Sequence, residues 1–487
     1  MVVYLSTMAL GLTWKNFGAD GGDLIAAAAT GGIAHPTGYP LYLLMARLFQ
    51  FLPFGSLAFR TNLMSGLAAA LAAVFVYALV TRSLSPSKGH QYWIAGLAGG
   101  VAFGFAPLLW SQAIITEVYT LHSLFVALIL YLTIRPLSVN FTRVRQDILL
   151  GLIFGLAMGN HLTTILLLPV ALFSSILTKS HPEKGENWIA GWHLDGHSFM
   201  RRLLWIGIGS LIYLTLPVRA WSQPPVNWGN PVTLENFIWL ISGKLYQRLL
   251  LDVTLPSVWE RVRMVATLCL DQFGIVGFSA SLCGLIVFFK PTRLNLSMLW
   301  IVVVSLAFVL GYASADSFLY LLPVYLCLSV WIGVGLGRLM DVVSQRFPKP
   351  VFLMGLFLIL VFALQAWKTW PQVDASHDNR AESFGNAVLS LAPPKAIVFA
   401  KGDQAIFTMW YFEYALRIRP DLAILATDLL QFKWYYQTLQ FTYPDLNLPG
   451  PFPFSETVVL ANPSRPICYI QYDQAPMINC LPAKDSH

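Results

Sequence analysis

Charged residues are scarce in this chain: 31 lysines and arginines with 24 aspartates and glutamates make up only 11% of 487 residues. A soluble protein of this length needs far more polar surface, so a water-soluble globular fold is excluded, and so is a domain count taken from length. Cysteines number five, with no CxxC or HExxH spacing. That excludes a disulfide scaffold and any zinc site specified by spacing alone. No GxGxxG or phosphate loop occurs, so there is no nucleotide fingerprint. Residues 1–14 carry no basic leader and no small-residue cleavage site follows, as a cleaved signal peptide would require; the run 2–14 reads as a helix whose natural start lies upstream. No clear internal repeat supports the alternative of a polytopic transporter or lipid flippase.

Apolar sequence is what the chain has in abundance. Hydrophobic residues are 56% and mean hydropathy is +0.62. Apolar runs recur at 2–14, 61–81, 93–113, 120–135, 147–160, 162–178, 203–219, 264–289, 295–313, 318–338 and 350–367. They predict an all-α polytopic membrane protein of about eleven transmembrane helices, with 147–160 short for a full crossing. The net charge of +7 resides in the links. Arg82, Lys88, Arg135, Arg143, Arg145, Lys179, Lys184, Arg201, Arg202, Lys290, Arg293, Arg338, Arg346 and Lys349 gather on one side, whereas links 114–119, 161 and 314–317 hold no lysine or arginine. The positive-inside rule makes the basic side cytoplasmic and sends 15–60, 220–263 and 368–487 outside. This distribution is that of a membrane protein, not a nucleic-acid binder. A bacterial inner membrane is its simplest setting.

Residues 1–368 thus read as a transmembrane domain with external loops 15–60 and 220–263, and 369–487 as a small external C-terminal α/β domain. In the latter, Lys395-Ala-Ile-Val-Phe-Ala-Lys-Gly-Asp403 predicts a strand ending at a Gly-Asp turn, then a helix over 404–416 and a strand at 422–426, a βαβ module. A strand followed by Gly-Asp can hold a ligand at its edge, but is more often a plain turn. The proline-rich stretch 444–466 predicts irregular coil. Cys269, Cys283 and Cys327 fall in spans as small packing residues, while Cys468 and Cys480 share the external tail and can pair in an oxidising compartment.

Chemistry is to be sought at the external helix mouths. Asp20 and Asp23 are three apart, on one face of any helix formed there, and Gly21-Gly22 permits close approach. A carboxylate so placed can take a proton from an attacking hydroxyl. Taken alone, these residues favour capping of a helix over Leu24–Thr30. His35-Pro36 reads locally as a polar turn. Glu117-Val-Tyr119 with His122, the Gly159-Asn160-His161 break, and Arg219 through Asn227-Trp228-Gly229 map to the same face and suggest a cavity lining. Each has a plainer account: Glu117 in an ion pair, His161 capping a hairpin, Trp221 and Trp228 as interfacial anchors, Arg219 snorkelling. Arg219 best fits a phosphate, with Lys244, Tyr246 and Arg248 nearby for head groups or donor phosphate.

The run Asp20-Gly-Gly-Asp23-Leu-Ile-Ala-Ala-Ala, then Ala34-His-Pro-Thr-Gly-Tyr39-Pro-Leu-Tyr42 and Arg60-Thr-Asn-Leu-Met-Ser65, resembles the opening of the family called domain of unknown function 2723. That family includes a eukaryotic transmembrane protein O-mannosyltransferase and belongs with the GT-C glycosyltransferases. The resemblance continues through Trp110-Ser-Gln-Ala, Glu117-Val-Tyr-Thr-Leu-His122, Gly159-Asn-His161, Leu216-Pro-Val-Arg219 and Asn227-Trp-Gly229, and more loosely through Asn379-Arg-Ala and Trp434-Tyr-Tyr.

The resemblance implies a GT-C fold, membrane-lying helices in the first external loop, a polyprenyl-phosphate-linked sugar donor and an inverting transfer to an acceptor hydroxyl. The acceptor is left open among protein, glycan and lipid. Asp20 and Asp23 take the acidic-motif positions, with His35 and Tyr39 beside them. Where the family more often has Glu this chain has the shorter Asp23, which leaves either carboxylate as base, with Asp20 favoured. His35, Tyr39, Glu117, Tyr119, His122, Asn160, His161, Arg219, Asn227, Trp228, Lys244 and Arg248 are the candidate substrate-binding residues. Members of the superfamily differ in using a divalent metal, and two carboxylates do not decide the matter.

Overall fold

The computed structural model describes residues 1–84, 92–135, 137–176, 178–179, 192–193, 195–345, 351–450, 455–473 and 475–483. Lys88, Lys184, Arg346 and Lys349 of the basic set lie outside these residues. Among the described residues six helices are long and apolar enough to cross a membrane: Leu57–Ser83, Gly196–Ala220, Pro256–Val287, Arg293–Gly311, Ser317–Ser344 and Phe352–Val373. A seventh arises if Tyr92–Gly104 and Pro107–Ala113, bent by 65°, form one broken span. Proline causes that break: Pro107 opens the second piece, and Ala106 before it leaves the helical region with ψ 125°.

The other apolar runs form shorter helices, Tyr119–Ile134, Arg143–Met158, Leu162–Leu167 continuing as Leu168–Ile176, and Val2–Thr7. The run 2–14 is therefore not one helix. Its six helical residues rise only about 9 Å at 1.5 Å per residue, and the chain turns extended at Met8.

The helix Leu322–Ser344 is the hub of the bundle, buried at every position from Leu322 to Gly337. A methyl on Gly333 would lie 2.8 Å from the Ala95 carbonyl oxygen, and one on Gly99 2.9 Å from that of Ser329. Glycine at both positions lets Tyr92–Gly104 pack backbone to backbone against the hub. Deeper in the bundle, buried Asp147 accepts from Arg202 Nε (2.8 Å), Arg201 Nη2 (2.8 Å) and the Ser198 hydroxyl (2.6 Å), fastening Arg143–Met158 to Gly196–Ser210. Arg202, in sequence a loop cation, is an internal strut.

Segment 15–60 folds into the short helices Gly21–Thr30 and Pro40–Gln50. The first ends at Gly31, whose φ of 69° is the left-handed stop that glycine adopts without strain. Segment 220–263 supplies Leu234–Ile241 and a 3-10 turn, Lys244–Leu249. The two loops are stitched where Ile33 N–H donates to Val226 (2.8 Å) and Trp228 N–H to Ile33 (3.3 Å).

The C-terminal part carries a four-stranded sheet. Ile397–Lys401 runs parallel to Ala423–Ala426 on one side and to Ile467–Gln471 on the other, and Ile478–Leu481 closes the edge antiparallel. The expected strand, helix and strand are present, with Asp403–Trp410 as the crossover helix. Two more strands extend the sheet, and Cys468 and Cys480, cross-strand partners on them, are disulfide-bonded. The proline-rich stretch contains a helix, Ser455–Ala461, in a portion free of proline. This unit is anchored on the N-terminal segment. Asp378 accepts from the Thr13 hydroxyl (2.6 Å) and the Lys15 N–H (2.9 Å), while Trp14 packs on Tyr472 and Phe384 at 4.2 and 5.5 Å between ring centroids.

Candidate active site

Asp20 and Asp23 flank the start of Gly21–Thr30, yet neither caps it. Asp20 holds the N-cap position without a side-chain capping bond, and Asp23 spends both oxygens elsewhere. One accepts from His35, from the ring Nδ1 at 2.7 Å and the backbone N–H at 2.9 Å; the other accepts the Trp228 indole N–H at 3.0 Å. A carboxylate can only accept, so Nδ1 carries the proton. Asp23 is fully buried and serves as the anchor of the motif.

Asp20 stands on the other side of the imidazole, its carboxylate 3.7 Å from His35 Nε2 and its side chain 39% exposed. Withdrawal from bulk water pushes its carboxyl up to about 6, against the pull of His35 and with further upward push from Asp403, Asp23 and Asp316. For His35, burial acts downward, but Asp20, Asp23 and Glu117 outweigh it and raise the imidazole to about 9. At neutral pH a charged imidazolium thus bridges a buried carboxylate and a reachable one. Three rings hold it in place: the edge of Tyr39 (5.0 Å), the face of Phe407 (6.3 Å, 17° between planes) and Trp228 (6.3 Å).

Glu117 is buried close by, and burial, reinforced by Asp20, holds its carboxyl well above the usual range. It has no ion-pair partner among the described residues, so the expected salt bridge is not its role. Behind it lies an aromatic layer. His161 packs on His122 (5.0 Å), Tyr119 (5.5 Å) and Tyr320 (5.5 Å), and Tyr39 reaches it at 6.4 Å. The Tyr119 hydroxyl donates to Asp316 (3.4 Å), and Asn160 ties the 159–161 break to the Val118 carbonyl (3.2 Å). His161 bonds Thr163 through Nδ1 (2.7 Å) and makes no side-chain cap.

The structure therefore brings Asp20, Asp23, His35, Tyr39 and Trp228 into one cluster, with Glu117 close by and Tyr119, His122, Asn160 and His161 adjoining. It does not bring Arg219, Asn227, Lys244 or Arg248 into contact with Asp20 or His35. The Arg219 guanidinium rests on the Gly32 carbonyl (3.1 Å), Asn227 bonds Asn230 (3.2 Å), and Lys244 and Arg248 are exposed. Trp228, for which an interfacial anchor was the plainer account, is buried among Trp434, Trp410 and Phe407, whereas Trp221 is 68% exposed.

Sequence reasoning missed the contribution of the C-terminal unit. The helix Asp403–Trp410 lays Phe407 on His35, and Asp403, its own carboxyl raised by burial, acts on Asp20. Gly22 makes the approach feasible, since a Cβ there would sit 2.2 Å from the Phe407 carbonyl oxygen. The Gly21-Gly22 pair and the Gly402-Asp403 turn were the available signals. Tyr246, whose phenol is raised by burial and by Asp20 and Asp403, borders the same site.

Two family models match: the protein O-mannosyl-transferase TMEM260 N-terminal domain over residues 20–184 and TMEM260-associated domain 2 over 381–453. Protein O-mannosyl-transferase TMEM260 of Mus musculus is 28% identical over 463 residues, covering 89% of this chain and 62% of the relative. The Dictyostelium discoideum protein of that name is 22% identical over 489 residues, covering 89% and 57%. The chain thus spans about three fifths of the length of the curated relatives it matches. Among solved structures, ArnT from Cupriavidus metallidurans bound to undecaprenyl phosphate superposes with a TM-score of 0.62 at 13% identity, over 96% of this chain and 91% of that one. The apo form gives 0.59 at 14%. The fold is that of the GT-C glycosyltransferases. In sequence the chain is similar to the protein O-mannosyl-transferase TMEM260 relatives, matched both in segment 15–60 and in its C-terminal unit.

Proposed function

We propose that this protein is a membrane glycosyltransferase that moves a sugar, mannose by the names of its relatives, from a polyprenyl phosphate to an acceptor hydroxyl of a protein. The observation that carries this reading is the division of labour around His35: Asp23 is consumed by three N–H donors, whereas Asp20 keeps an oxygen reachable beside a charged imidazolium.

In this mechanism Asp20 is the base. The acceptor oxygen attacks the anomeric carbon as its proton passes to Asp20; the new carbon–oxygen bond forms while the bond to the phosphate oxygen breaks, and the lipid phosphate leaves with that electron pair. A single displacement inverts the centre. His35 stabilises ionised Asp20, and Asp23 and Trp228 position His35. Tyr39, Glu117, Tyr119, His122, Asn160 and His161 line the sugar side. Arg219, Lys244 and Arg248 meet the lipid phosphate on the neighbouring loop, where a guanidinium fork offsets the charge of the leaving group; Asn227 holds that loop's turn through Asn230.

The same reading divides the chain into 1–368 and 369–487, although the last long helix runs on to Val373, and keeps all eleven apolar runs within the membrane layer. It places loops 15–60 and 220–263 and the C-terminal unit outside, with the Cys468–Cys480 disulfide supporting an oxidising side.

The test is transfer of radiolabelled mannose from polyprenyl-phosphate mannose by the purified protein to an acceptor peptide, with and without EDTA, comparing the parent with Asp20→Asn and Asp23→Asn at matched folding. Loss in Asp20→Asn supports the assignment. Unchanged transfer in both variants sinks it.

A further inference from the structure

Far from Asp20, at the other end of the same helices, Arg82, Arg135, Arg143, Lys290, Arg293 and Arg338 line one cavity of about 490 Å³. Ser65, at the near end of Leu57–Ser83, bonds the Glu117 carbonyl, while Arg82 lies at the far end, about 25 Å away along the axis at 1.5 Å per residue. Tyr119–Ile134 likewise starts in the aromatic layer beside His161 and ends at this cavity.

The positive-inside tendency explains why cations lie on this side, but not why six converge on one concavity. Among the described residues no aspartate or glutamate lines it. The carboxylates nearby are engaged: Asp147 with Arg201 and Arg202, and Asp341 with the Tyr92 hydroxyl (2.7 Å), standing 3.8 Å from Arg338. Several of the cations are held by neutral partners that leave their charge intact. Arg82 lies over Tyr131 (4.9 Å), Arg135 over Phe141 (3.8 Å), and Arg143 donates to Gln146 (3.2 Å). Two helices also begin here, Arg143–Met158 and Arg293–Gly311, each capped by a threonine, adding the positive ends of their dipoles. Such a concentration of like charge is unfavourable without an anion. Apolar Leu137, Phe288 and Val334 complete the wall.

We propose that this cavity binds the phosphate head group of an anionic membrane lipid, on the face of the membrane opposite the transfer site. Basic pockets between membrane helices recognise lipid phosphates in this way, and the apolar wall suits the alkyl chain that a free phosphate lacks.

The test is native mass spectrometry of the full chain in detergent, titrated with phosphatidylglycerol or phosphatidylcholine. The parent is expected to retain phosphatidylglycerol saturably and at least about tenfold more tightly. The double variant Arg82→Gln/Lys290→Gln loses that preference, whereas Lys401→Gln/Arg465→Gln, an equal change of charge in the C-terminal unit, keeps it. Arg338→Gln, a single neutral replacement, loses part of it and carries the test if the double variant fails to fold. Equal retention of phosphatidylglycerol by the parent and the cavity variants overturns the proposal. Displacement of the lipid by inorganic phosphate at matched concentration overturns the lipid assignment in favour of a soluble phosphate.

Discussion

Asp20 and Asp23 carry the same functional group and differ in everything around it, which makes their variants diagnostic. On the proposed mechanism Asp20→Asn removes the base, and transfer should fall by about 10²–10⁴-fold, the usual worth of general base catalysis. In Asp23→Asn the amide must point an N–H at either His35 or Trp228, both donors. His35 then loses one of the charges that raise it, so kcat should drop and the alkaline limb of the pH profile should move to lower pH. On the proposed mechanism, transfer by the parent should rise as Asp20 loses its proton near 6 and decline as His35 loses its own near 9. A kcat/KM profile measured from pH 5 to 10 tests this, and a flat profile would remove both groups from the mechanism. Trp228→Phe keeps the ring and deletes the N–H that Asp23 receives at 3.0 Å. A hydrogen bond to a charged group is worth about 1.5–3 kcal/mol, so kcat should fall roughly 10–100-fold if that energy is spent on orienting His35.

Elements bring together what the sequence keeps apart. Asp20, Asp23 and His35 were legible because they share one short glycine- and proline-punctuated segment, where carboxylates in an apolar chain stand out. Phe407 and Asp403 were not, because they reach the site from the other end of the chain through a Gly-Asp turn of a very common kind. Trp228 was named as a candidate, but its bond to Asp23 was not legible, because a tryptophan near a span end has an interfacial anchor as its plainer account and only its place under the C-terminal helices makes it a buried donor. Hydropathy marked eleven apolar runs, yet among the described residues six helices, or seven with the bent pair, are long and apolar enough to cross a membrane; Pro107 breaks one run and Val2–Thr7 stops after six residues. The crossing of Gly21–Thr30 with Asp403–Trp410 depends on Gly22. Glycine to alanine inside a helix ordinarily stabilises by up to about 1 kcal/mol. Here the added methyl meets the Phe407 carbonyl oxygen at 2.2 Å, and overpacking against backbone costs about 1–3 kcal/mol. Gly22→Ala should therefore lower the unfolding temperature and expose the Asp403–Trp410 helix to proteolysis; a rise in stability would show that the two helices do not press on each other.

For the molecule as a whole, segment 15–60 supplies Asp20, Asp23 and His35, and the helix Asp403–Trp410 of the C-terminal unit covers His35 with Phe407, so on the proposed mechanism the stability of the sheet bears directly on transfer. The chain of support runs from the Cys468–Cys480 bridge on Ile467–Gln471 and Ile478–Leu481, through the parallel pairing of Ile467–Gln471 with Ile397–Lys401, to the helix that follows that strand and carries Phe407. A bridge joining residues 12 apart restricts the unfolded chain enough to contribute about 2–3 kcal/mol. In Cys468→Ser/Cys480→Ser the C-terminal unit should unfold at a lower temperature than in the parent, while the bundle, held by the hub helix and the Asp147 cluster, keeps its own transition. Because Phe407 and Asp403 leave with the unit, transfer should be lost at the lower transition and not at the upper one. Activity and proteolysis followed over the same temperature ramp separate the two. Transfer that survives the lower transition would reduce the C-terminal unit to a passenger and leave the transfer site wholly to the bundle and its loops.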